Sequence, residues 1–562
     1  MSLRNTIKSI KRKGPDPVKV KTSVFGLLVN TSTIHGVKYI GDLHSPKTTR
    51  TFWIIAFCLS ILGCVYYATQ VYDKWYITPD IGLKVRFNSS RTVPFPAVTI
   101  CPQSKIKGNF LDYNKALTTA FTEGEMGDDS RKYFELALPL CTASHINLIK
   151  LFNPKYLTNV ALNGTDFIST MSEVQFPLNQ TFVGIKTEKG FLTENFEDAV
   201  DRVMTSEGFC ATYNLQDYPL LFRQDKDLSS DFDSYKNNRS STWNPLDGYK
   251  NDETDQYPKR IFSGTKSKIV FLLAQSGNDI DEACLGPEQG FKIYWHMPNE
   301  IPSYMHRSVV VGVEKSKTLV MKATQVRSSD DLQRYDANQR RCFFEDEKPL
   351  QFFKSYTKTH CDMECLTNYT LTKCGCVKYF MPRNSSTPVC DITKLECAED
   401  ANDNWLENDQ SYRENAMPCN CYPSCSTIKY DVLSSMDMDF KTEKTLKIFG
   451  DDAQFYEDFP NGTISRFVIE FEDFLIEAQE NFLGYKMQHF ISDCGGLLGL
   501  FMGCSILSLV ELFYQLFVTL FMKSNPNQIA EKKEETPPTP KKDNRTIVFV
   551  EADEDKENEK NE

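Results

Sequence analysis

Residues 494–522 read CGGLLGLFMGCSILSLVELFYQLFVTLFM, an apolar stretch of 29 residues whose only charge is Glu511. At 1.5 Å per residue, a helix of this length can cross a hydrocarbon core of about 30 Å. A second uncharged apolar stretch, FWIIAFCLSILGCVYYATQVY, occupies residues 52–72. It begins too far from residue 1 to be a cleaved signal peptide. The two stretches therefore predict a membrane protein with two transmembrane helices.

The charges before the apolar stretch at 52–72 predict the orientation of the chain. Ten Lys or Arg residues and two acidic residues precede it, and such an excess of positive charge is typical of the cytoplasmic side. Because the chain crosses the membrane twice, both termini are expected on the cytoplasmic side. The expected location is the plasma membrane. The predicted organisation is a cytoplasmic N-terminus at 1–51, a transmembrane helix at 52–72, an extracellular cysteine-rich domain at 73–490, a second transmembrane helix with the pore at 491–522, and a disordered cytoplasmic tail at 523–562.

The composition excludes several classes of function. The formal net charge is −11, whereas a nucleic-acid-binding protein needs a basic surface for the phosphates. The sequence has no GxSxG, HExxH or P-loop motif, and its seven histidines have no metal-ligand spacing. We therefore expect neither an enzyme nor a bound metal or cofactor.

The cysteines predict a disulfide-bonded extracellular domain. Fourteen of the 18 cysteines lie between residues 73 and 490, an even number in an oxidising compartment. A zinc module is disfavoured because this region has no CxxC pair and His360 is the only histidine near the dense part of the cluster. Cys361 and Cys365 lie one helical turn apart, but spacing alone does not determine which cysteines are paired.

Two further patterns describe the same region. Runs such as KIVFLLA (268–274) and ISRFVIEFED (464–473) predict strands, and residues 361–372 predict a helix, so the domain is expected to mix α and β structure. Seven N-x-Ser/Thr sequons agree with an extracellular location. They are at Asn88, Asn163, Asn179, Asn238, Asn368, Asn384 and Asn461.

The apolar stretch at 494–522 has more polar residues than a simple membrane anchor needs. Gly495, Gly499 and Gly503 recur every four residues, which taken alone is typical of close helix packing. Ser505, Ser508 and Glu511 then recur every three residues. A carboxylate in hydrocarbon costs about 2.5–3.5 kcal/mol, so Glu511 should face water or the interior of a helix bundle. The combination indicates an ion pathway.

The two stripes also predict a break in the helix. At 100° per residue, the glycine stripe and the Ser/Glu stripe point in opposite directions on one continuous helix. Both can face one axis only if the helix breaks near Gly503-Cys504-Ser505. Irregular backbone there would expose carbonyl groups, which can bind dehydrated cations in a water-filled path. A single glutamate without a basic residue favours cations, and one helix cannot enclose a pore, so subunits must associate as a ring.

These features together resemble the degenerin/epithelial sodium channel/acid-sensing ion channel superfamily. The resemblance rests on the two spans, on FPAVTICP at 95–102, on the fourteen cysteines and on GLFMGCSILSLVELF at 499–513. The cysteine-rich stretch from Cys342 to Cys390 is most similar to the arthropod pickpocket branch.

The resemblance implies an α+β membrane protein that works as a trimer. Each subunit would have two transmembrane helices and a disulfide-rich mixed α/β ectodomain with palm, β-ball, knuckle, finger and thumb regions. The implied activity is that of a voltage-insensitive, amiloride-sensitive, sodium-selective channel, with sodium as the permeant ion and no cofactor. Implied partners are the same or related channel subunits, membrane lipid and an unidentified extracellular ligand, with mechanical gating or constitutive opening as alternatives.

The resemblance also assigns residues to the ion pathway. The selectivity filter falls on Gly503, Cys504 and Ser505, and the pore-blocker position falls on Gly499. The position where bulky substitutions hold related channels open falls on Ser492, next to Asp493. The cytoplasmic His-Gly gating motif falls on His35 and Gly36. Gly495, Ser508 and Glu511 complete the predicted pore lining.

The disulfide pairs are likewise implied by the resemblance. They are Cys101–Cys284, Cys141–Cys210, Cys342–Cys425, Cys361–Cys421, Cys365–Cys419, Cys374–Cys397 and Cys376–Cys390.

A two-span glycosylated cell-surface receptor for lipid or protein ligands is the alternative interpretation. It explains the topology, the sequons and the cysteines equally well. It does not explain Glu511 or the opposed stripes of the second span.

Overall fold

The structure is a computed structural model that describes residues 34–521 with short gaps. The gaps are 43–44, 123, 142–143, 159, 178–179, 188–189, 193–198, 236–240, 242, 250–256, 262–267, 287–288, 410–418, 450–451 and 474. The predicted disordered tail at 523–562 and most of the predicted N-terminal segment lie outside the described residues. The chain divides into two compact units, a helical unit (Met1–Tyr72 and Met487–Glu562) and a large unit (Asp73–Lys486).

The helices are numbered in chain order. They are α1 Val37–Gly41, α2 Lys47–Tyr72, α3 Tyr113–Phe121, α4 Asp128–Ala137, α5 Ser144–Phe152, α6 Phe167–Val174, α7 Tyr218–Leu221, α8 Glu282–Leu285, α9 Ala337–Arg340, α10 Lys358–Cys374, α11 Ile392–Asp409, α12 Thr442–Phe449, α13 Asp452–Asp458, α14 Met487–Met502 and α15 Ile506–Phe521. Helix α14 begins four residues before the predicted start of the second span at 491.

The strands belong to the large unit. They are β1 Ile81–Ser89, β2 Ala97–Pro102, β3 Phe182–Thr187, β4 Gly190–Leu192, β5 Val200–Thr205, β6 Gly208–Tyr213, β7 Trp243–Asn244, β8 Gly248–Tyr249, β9 Lys268–Gln275, β10 Gly290–His296, β11 Ser308–Gly312, β12 Lys315–Ser328, β13 Ser426–Asp439, β14 Thr463–Phe471 and β15 Leu475–Leu483.

Two sheets organise the large unit. The first has the order β1-β15-β12-β14-β9-β3-β4, with β13 also paired to β12, and the second has the order β11-β10-β2-β6-β5. Strand β12 joins the first sheet together, because its early part pairs in parallel with β14 and its last residues pair in parallel with β15. These parallel pairs link parts of the chain that are far apart in sequence.

The centre of the first sheet is buried on both faces. In β9, Ile269, Phe271 and Leu273 join a cluster that includes Ile100 and Phe291 of the second sheet. The alternate residues of β9 face a different cluster, which contains Phe455 of α13. Because successive strand residues point to opposite faces, the continuous apolar run KIVFLLA reflects burial on both sides.

Seven disulfide bonds link the cysteines of the large unit. Five are the pairs that the resemblance implied: Cys342–Cys425, Cys361–Cys421, Cys365–Cys419, Cys374–Cys397 and Cys376–Cys390. Three of them start from α10, and each closes a loop whose freedom in the unfolded chain is lost.

The two remaining predicted pairs, Cys101–Cys284 and Cys141–Cys210, are wrong. The structure instead joins Cys101 to Cys210 and Cys141 to Cys284. Strand pairing explains the exchange, because β2 and β6 are neighbours with Ile100 opposite Ala211, which brings the Cα atoms of Cys101 and Cys210 to 4.6 Å.

The sequons within the described residues lie at the surface of the large unit. Asn88, Asn163, Asn368 and Asn461 are exposed, and Asn384 is half-buried. Asn179 and Asn238 lie outside the described residues.

Three histidines and one glutamate form a cluster where the loop after β10 meets the start of α10. They are His296, Glu300, His306 and His360. Nε2 of His360 accepts a hydrogen bond from the backbone N–H of Ile301 at 3.2 Å, and Nδ1 of His306 accepts one from Ser303 at 3.0 Å. The ring of His306 stacks on His296, with centroids 5.1 Å apart. Protonation of an accepting nitrogen would break its bond to the loop, so the loop depends on imidazoles that accept.

Burial changes the titration of this cluster. It lowers the pKa of His296 to about 3 and of His360 to about 4, because the charged ring loses its hydration. Burial alone would raise the pKa of Glu300, but its contacts with His306 lower it to about 2. As pH falls from 6.5 towards 4, His296 and His360 bind protons in the unfolded chain but not in the folded one, so the free energy of unfolding decreases.

We expect the melting temperature of the purified full-length protein to fall between pH 7 and pH 4, and to fall less in His360→Gln. Glutamine has one acceptor and one donor but does not titrate, so the contribution of His360, a few kcal/mol at about 1.4 kcal/mol per pKa unit, is removed. Thermal unfolding across this pH range measures the effect. Lys373→Gln, at the exposed far end of α10, is the control, and equal slopes in all three proteins would contradict the prediction.

Candidate ion pathway

The first predicted span folds as one long helix. Residues Lys47–Ile77 are continuously helical and apolar enough to cross a membrane. Their large side chains are exposed in the single chain, with Leu59 at 63% and Leu62 at 65%. A helix that is apolar on all sides is typical of a membrane span.

The second predicted span is broken into α14 and α15, which are bent by 74°. Counting this bent pair as one, the described residues contain two helical segments apolar and long enough to cross a membrane. The break occupies Gly503, Cys504 and Ser505, where the sequence predicted it. Gly503 has a φ of +61°, the left-handed conformation that commonly ends helices.

Serines start the second half of the span. Oγ of Ser505 accepts a hydrogen bond from the backbone N–H of Ser508 at 3.2 Å, and Oγ of Ser508 accepts one from the N–H of Ser505 at 3.2 Å. This is a reciprocal capping box with serine at both positions. A left-handed glycine and a capping serine two residues later therefore account for the break.

The segment before α1 lies against this break. The backbone N–H of His35 donates to the carbonyl of Met502 at 3.2 Å. The adjacent carbonyl, that of Phe501, accepts a hydrogen bond from the hydroxyl of Ser60 on α2. Two carbonyls that the end of α14 leaves without intrahelical partners are thus satisfied from other segments, as a low-dielectric environment requires.

Gly503 leaves no room for a side chain. A Cβ atom at this position would lie 1.7 Å from Nδ1 of His35. The positive φ independently disfavours any residue with a side chain. His35 therefore packs directly on the backbone of the break.

Gly36 completes this contact. It has a φ of +87° and is the N-cap residue of α1, and a Cβ atom there would lie 3.7 Å from both Trp53 and Phe57 of α2. Tyr39 of α1 stacks on Trp53 with centroids 4.7 Å apart. The His-Gly pair is thus fixed between α2 and the break.

Helix α14 packs on α2 through Phe501. A Cβ atom on Gly63 would lie 2.8 Å from the ring of Phe501, and Tyr67 stacks on the same ring at 5.8 Å. The glycine at position 63 permits this close approach.

The glycine face of α14 is not used in this packing. A Cβ atom at Gly495 or Gly496 would meet no described atom within 4 Å, and one at Gly499 would meet only the Cys504 carbonyl at 4.0 Å. Within the described chain these glycines therefore have space beside them. The described residues thus leave this face of α14 without close packing.

The other predicted pore residues lie on both halves of the span. Ser492 and Asp493 are exposed near the start of α14, and Glu511 is half-buried in the second turn of α15. Ser508, by contrast, is 8% exposed and is engaged with Ser505. Ser505 and Ser508 of the predicted stripe thus cap α15, whereas Glu511 lies in the next turn.

Cysteines in this unit are thiols, not disulfides. They are Cys58, Cys64, Cys494 and Cys504. Across the part of the chain that the structure describes, no group of three His, Cys, Asp or Glu side chains has the arrangement of a metal site.

Reasoning from sequence missed Ser60 and Phe501. Ser60 is one of two hydroxyl-bearing Ser/Thr residues in the uncharged run 52–72, and a hydroxyl in a membrane helix commonly hydrogen-bonds a neighbouring helix. That signal was available. No sequence signal indicated that its partner is the carbonyl of Phe501.

Comparisons with known proteins match almost the whole chain. The sequence profile of the family described as "Amiloride-sensitive sodium channel" matches residues 28–515. Pickpocket protein 28 of Drosophila melanogaster is 25% identical over 524 residues, covering 90% of this chain and 80% of the relative. Acid-sensing ion channel 2 of Homo sapiens is 24% identical over 520 residues, covering 89% and 88%.

A third relative is the sodium channel protein Nach of Drosophila ananassae. It is 22% identical over 520 residues, which cover 87% of this chain and 86% of the relative. Because the family profile spans most of the 562 residues, the chain belongs to the amiloride-sensitive sodium channel family.

Proposed function

We propose that this chain is one of three subunits that close as a ring around a sodium-selective, amiloride-sensitive, voltage-insensitive pore in the plasma membrane. The observation that carries the proposal is the break at Gly503-Cys504-Ser505, with a left-handed glycine, a serine capping box and a polar contact from His35. A simple anchor has no need of such a break. Both termini are then cytoplasmic, and the large unit is the extracellular domain with palm, β-ball, knuckle, finger and thumb regions.

In this proposal the break is the selectivity filter. Gly503, Cys504 and Ser505 from three subunits would form a narrow ring of backbone and hydroxyl oxygens, which can replace the water around a cation. Gly499, one turn earlier, lies at the amiloride position, and Gly495 continues the same face of α14. The unpacked glycine face supports this, because it allows neighbouring helices to approach closely.

Charged residues on either side of the filter favour cations. Asp493 precedes it by ten residues and Glu511 follows it by six, and no basic residue lies between them. Carboxylates near a narrow path raise the local concentration of cations.

His35 and Gly36 are proposed to couple the cytoplasmic segment to the filter. Their contact with Gly503 and Met502 means that displacement of the N-terminal segment removes a hydrogen bond from the break. Gating by an extracellular ligand, mechanical force or constitutive opening are all compatible with this arrangement, and the subunit partners are the same chain or related channel subunits.

The receptor alternative has less support. The family profile is described as an amiloride-sensitive sodium channel, and two of the named relatives are a sodium channel protein and an acid-sensing ion channel. A lipid or protein receptor also needs no broken second span.

We expect Ser492→Val to produce a constitutive current. A bulkier, β-branched side chain next to Asp493 would hold the outer pore open. Whole-cell recording in sodium and in potassium baths, with and without amiloride, measures the current, and Ser492→Ala is the small-residue control. A surface-labelled Ser492→Val protein that stays silent, alone and with related subunits, would contradict the channel proposal.

In the Ser492→Val background we expect Gly503→Ala to reduce the sodium current at least about tenfold. The added Cβ atom would overlap His35. A strain of about 1.4 kcal/mol already corresponds to a factor of ten. Gly127→Ala in the large unit is the control, since its Cβ meets nothing within 4 Å and its φ of −60° suits alanine. Surface biotinylation corrects each current for expression. Equal currents from the two alanine variants would exclude a narrow path at Gly503.

We expect Ser505→Ala to lower the sodium-to-potassium permeability ratio. Loss of the capping oxygen costs about 1 kcal/mol and frees the N–H of Ser508, which loosens the start of α15. Ser505→Thr retains the hydroxyl and serves as the control. Reversal potentials with sodium on one side and potassium on the other provide the ratio, and an unchanged ratio in the alanine variant would show that Ser505 does not shape the filter.

A further inference from the structure

A cavity of about 510 Å³ lies inside the large unit, among the turns that follow β2 and β9 and the segment that precedes β14. All of its lining residues belong to the large unit. Its volume is within the range of sites for small organic ligands. The pore described above makes no use of it.

Hydrogen bonds between the turns hold the rim of the cavity in place. The backbone N–H of Gly108 donates to Oδ1 of Asp279 at 2.9 Å. The N–H of Gly277 and the hydroxyl of Ser276 both donate to the carbonyl of Pro460, at 3.2 and 3.1 Å. A Cβ atom on Gly108 would lie 2.4 Å from the Asn278 carbonyl. The turns are thus in direct contact, and the rim is formed before any ligand arrives.

Gln275 lines this cavity and has a buried side-chain carbonyl oxygen. Gln275, the last residue of β9, is 7% exposed, and its Nε2 donates to Oγ of Ser104 at 2.6 Å. Its Oε1 is buried and has no hydrogen-bond partner among the described residues. A buried acceptor is stabilised by a donor, so turning this oxygen towards a ligand N–H group would give it a contact that the described residues do not supply.

The remaining walls favour a positively charged ligand with an apolar body. Phe176, Phe291 and Phe459 line the cavity, and the faces of aromatic rings attract ammonium groups. Asp279 and Asp458 also line it, against one basic residue, Lys107. The lining therefore has a net negative formal charge.

We propose that this cavity binds a small organic cation, a primary ammonium on an aromatic or aliphatic body, and that the side chain of Gln275 turns so that its Oε1 accepts a hydrogen bond from the ammonium. The body lies against the phenylalanines, and the carboxylates of the rim attract the charge. This inference does not depend on the proposed channel function, because it concerns binding to the large unit alone.

The test is a binding titration of the purified full-length protein by ligand-observed NMR, with 2-phenylethylamine as the probe. The matched anion is 3-phenylpropionate, which has the same ring on a short chain but carries a carboxylate. We expect saturable binding of the amine and at least about tenfold weaker binding of the anion. No binding of the amine, or equal binding of both, would overturn the proposal.

Two kinds of variant separate the site from general surface charge. Gln275→Met keeps the side-chain length without the carbonyl, and Asp279→Asn with Asp458→Asn neutralises the rim while retaining an oxygen for the N–H of Gly108. We expect each to weaken amine binding at least about tenfold. Asp225→Asn with Asp400→Asn neutralises two exposed carboxylates that do not line the cavity and should leave binding unchanged. If the rim variant binds like this control, the proposal fails even where Gln275→Met does not fold.

Alkylation locates the ligand. In Ser276→Cys, 2-phenylethylamine should slow modification of the new thiol by N-ethylmaleimide, measured by mass spectrometry of the peptide that contains residue 276. Binding without this protection would place the amine elsewhere and overturn the assignment. The readout involves no current, so a failed channel experiment leaves this result intact.

Discussion

A polypeptide can interrupt its helix inside a membrane only if the freed backbone groups find partners, and the second span depends on this constraint. At the break, Gly503 turns the chain, Ser505 and Ser508 cap the next helix, and His35 and Ser60 supply donors for two carbonyls. These partners come from three separate segments of the chain. The N-terminal segment, the first span and the second span are therefore parts of one polar arrangement.

The large unit achieves order by different means. Its central strands β9 and β14 are covered on both faces, and α10 carries three disulfide bonds. Apolar burial fixes the sheets, whereas the bridges restrict the unfolded chain around α10. The loop after β10 adds a polar component through His306 and His360. Covalent, apolar and polar constraints thus apply to neighbouring parts of the same unit.

Local sequence patterns predicted the features that depend on nearby residues. The run at 268–274 lies in β9, the run at 464–473 is a strand up to Phe471, and residues 361–372 are helical. The break falls at Gly503-Cys504-Ser505. Each of these features depends on periodicity or on a few adjacent residues. Two disulfide pairs were exchanged because they depend on β2 lying beside β6, which periodicity does not encode.

For the pore residues, too, the sequence predicted what depends on nearby residues and missed contacts with distant ones. The angular argument located the break correctly, but it treated Ser508 as part of an open stripe, whereas its side chain caps α15. Helical angles describe where side chains start and not what they bind. The contact of His35 with Gly503 joins segments over 460 residues apart, so only the family resemblance had marked His35 as functional.

The unpacked glycine face of α14 has a consequence for the stability and abundance of the protein in the cell. In the proposed ring, contacts that complete this helix come from neighbouring subunits, so a lone subunit presents bare backbone to lipid. Its stability then depends on the concentration of its partners, as for other obligate assemblies. The abundance of mature protein should follow the scarcest subunit of the assembly, and surplus single subunits are the form most open to degradation.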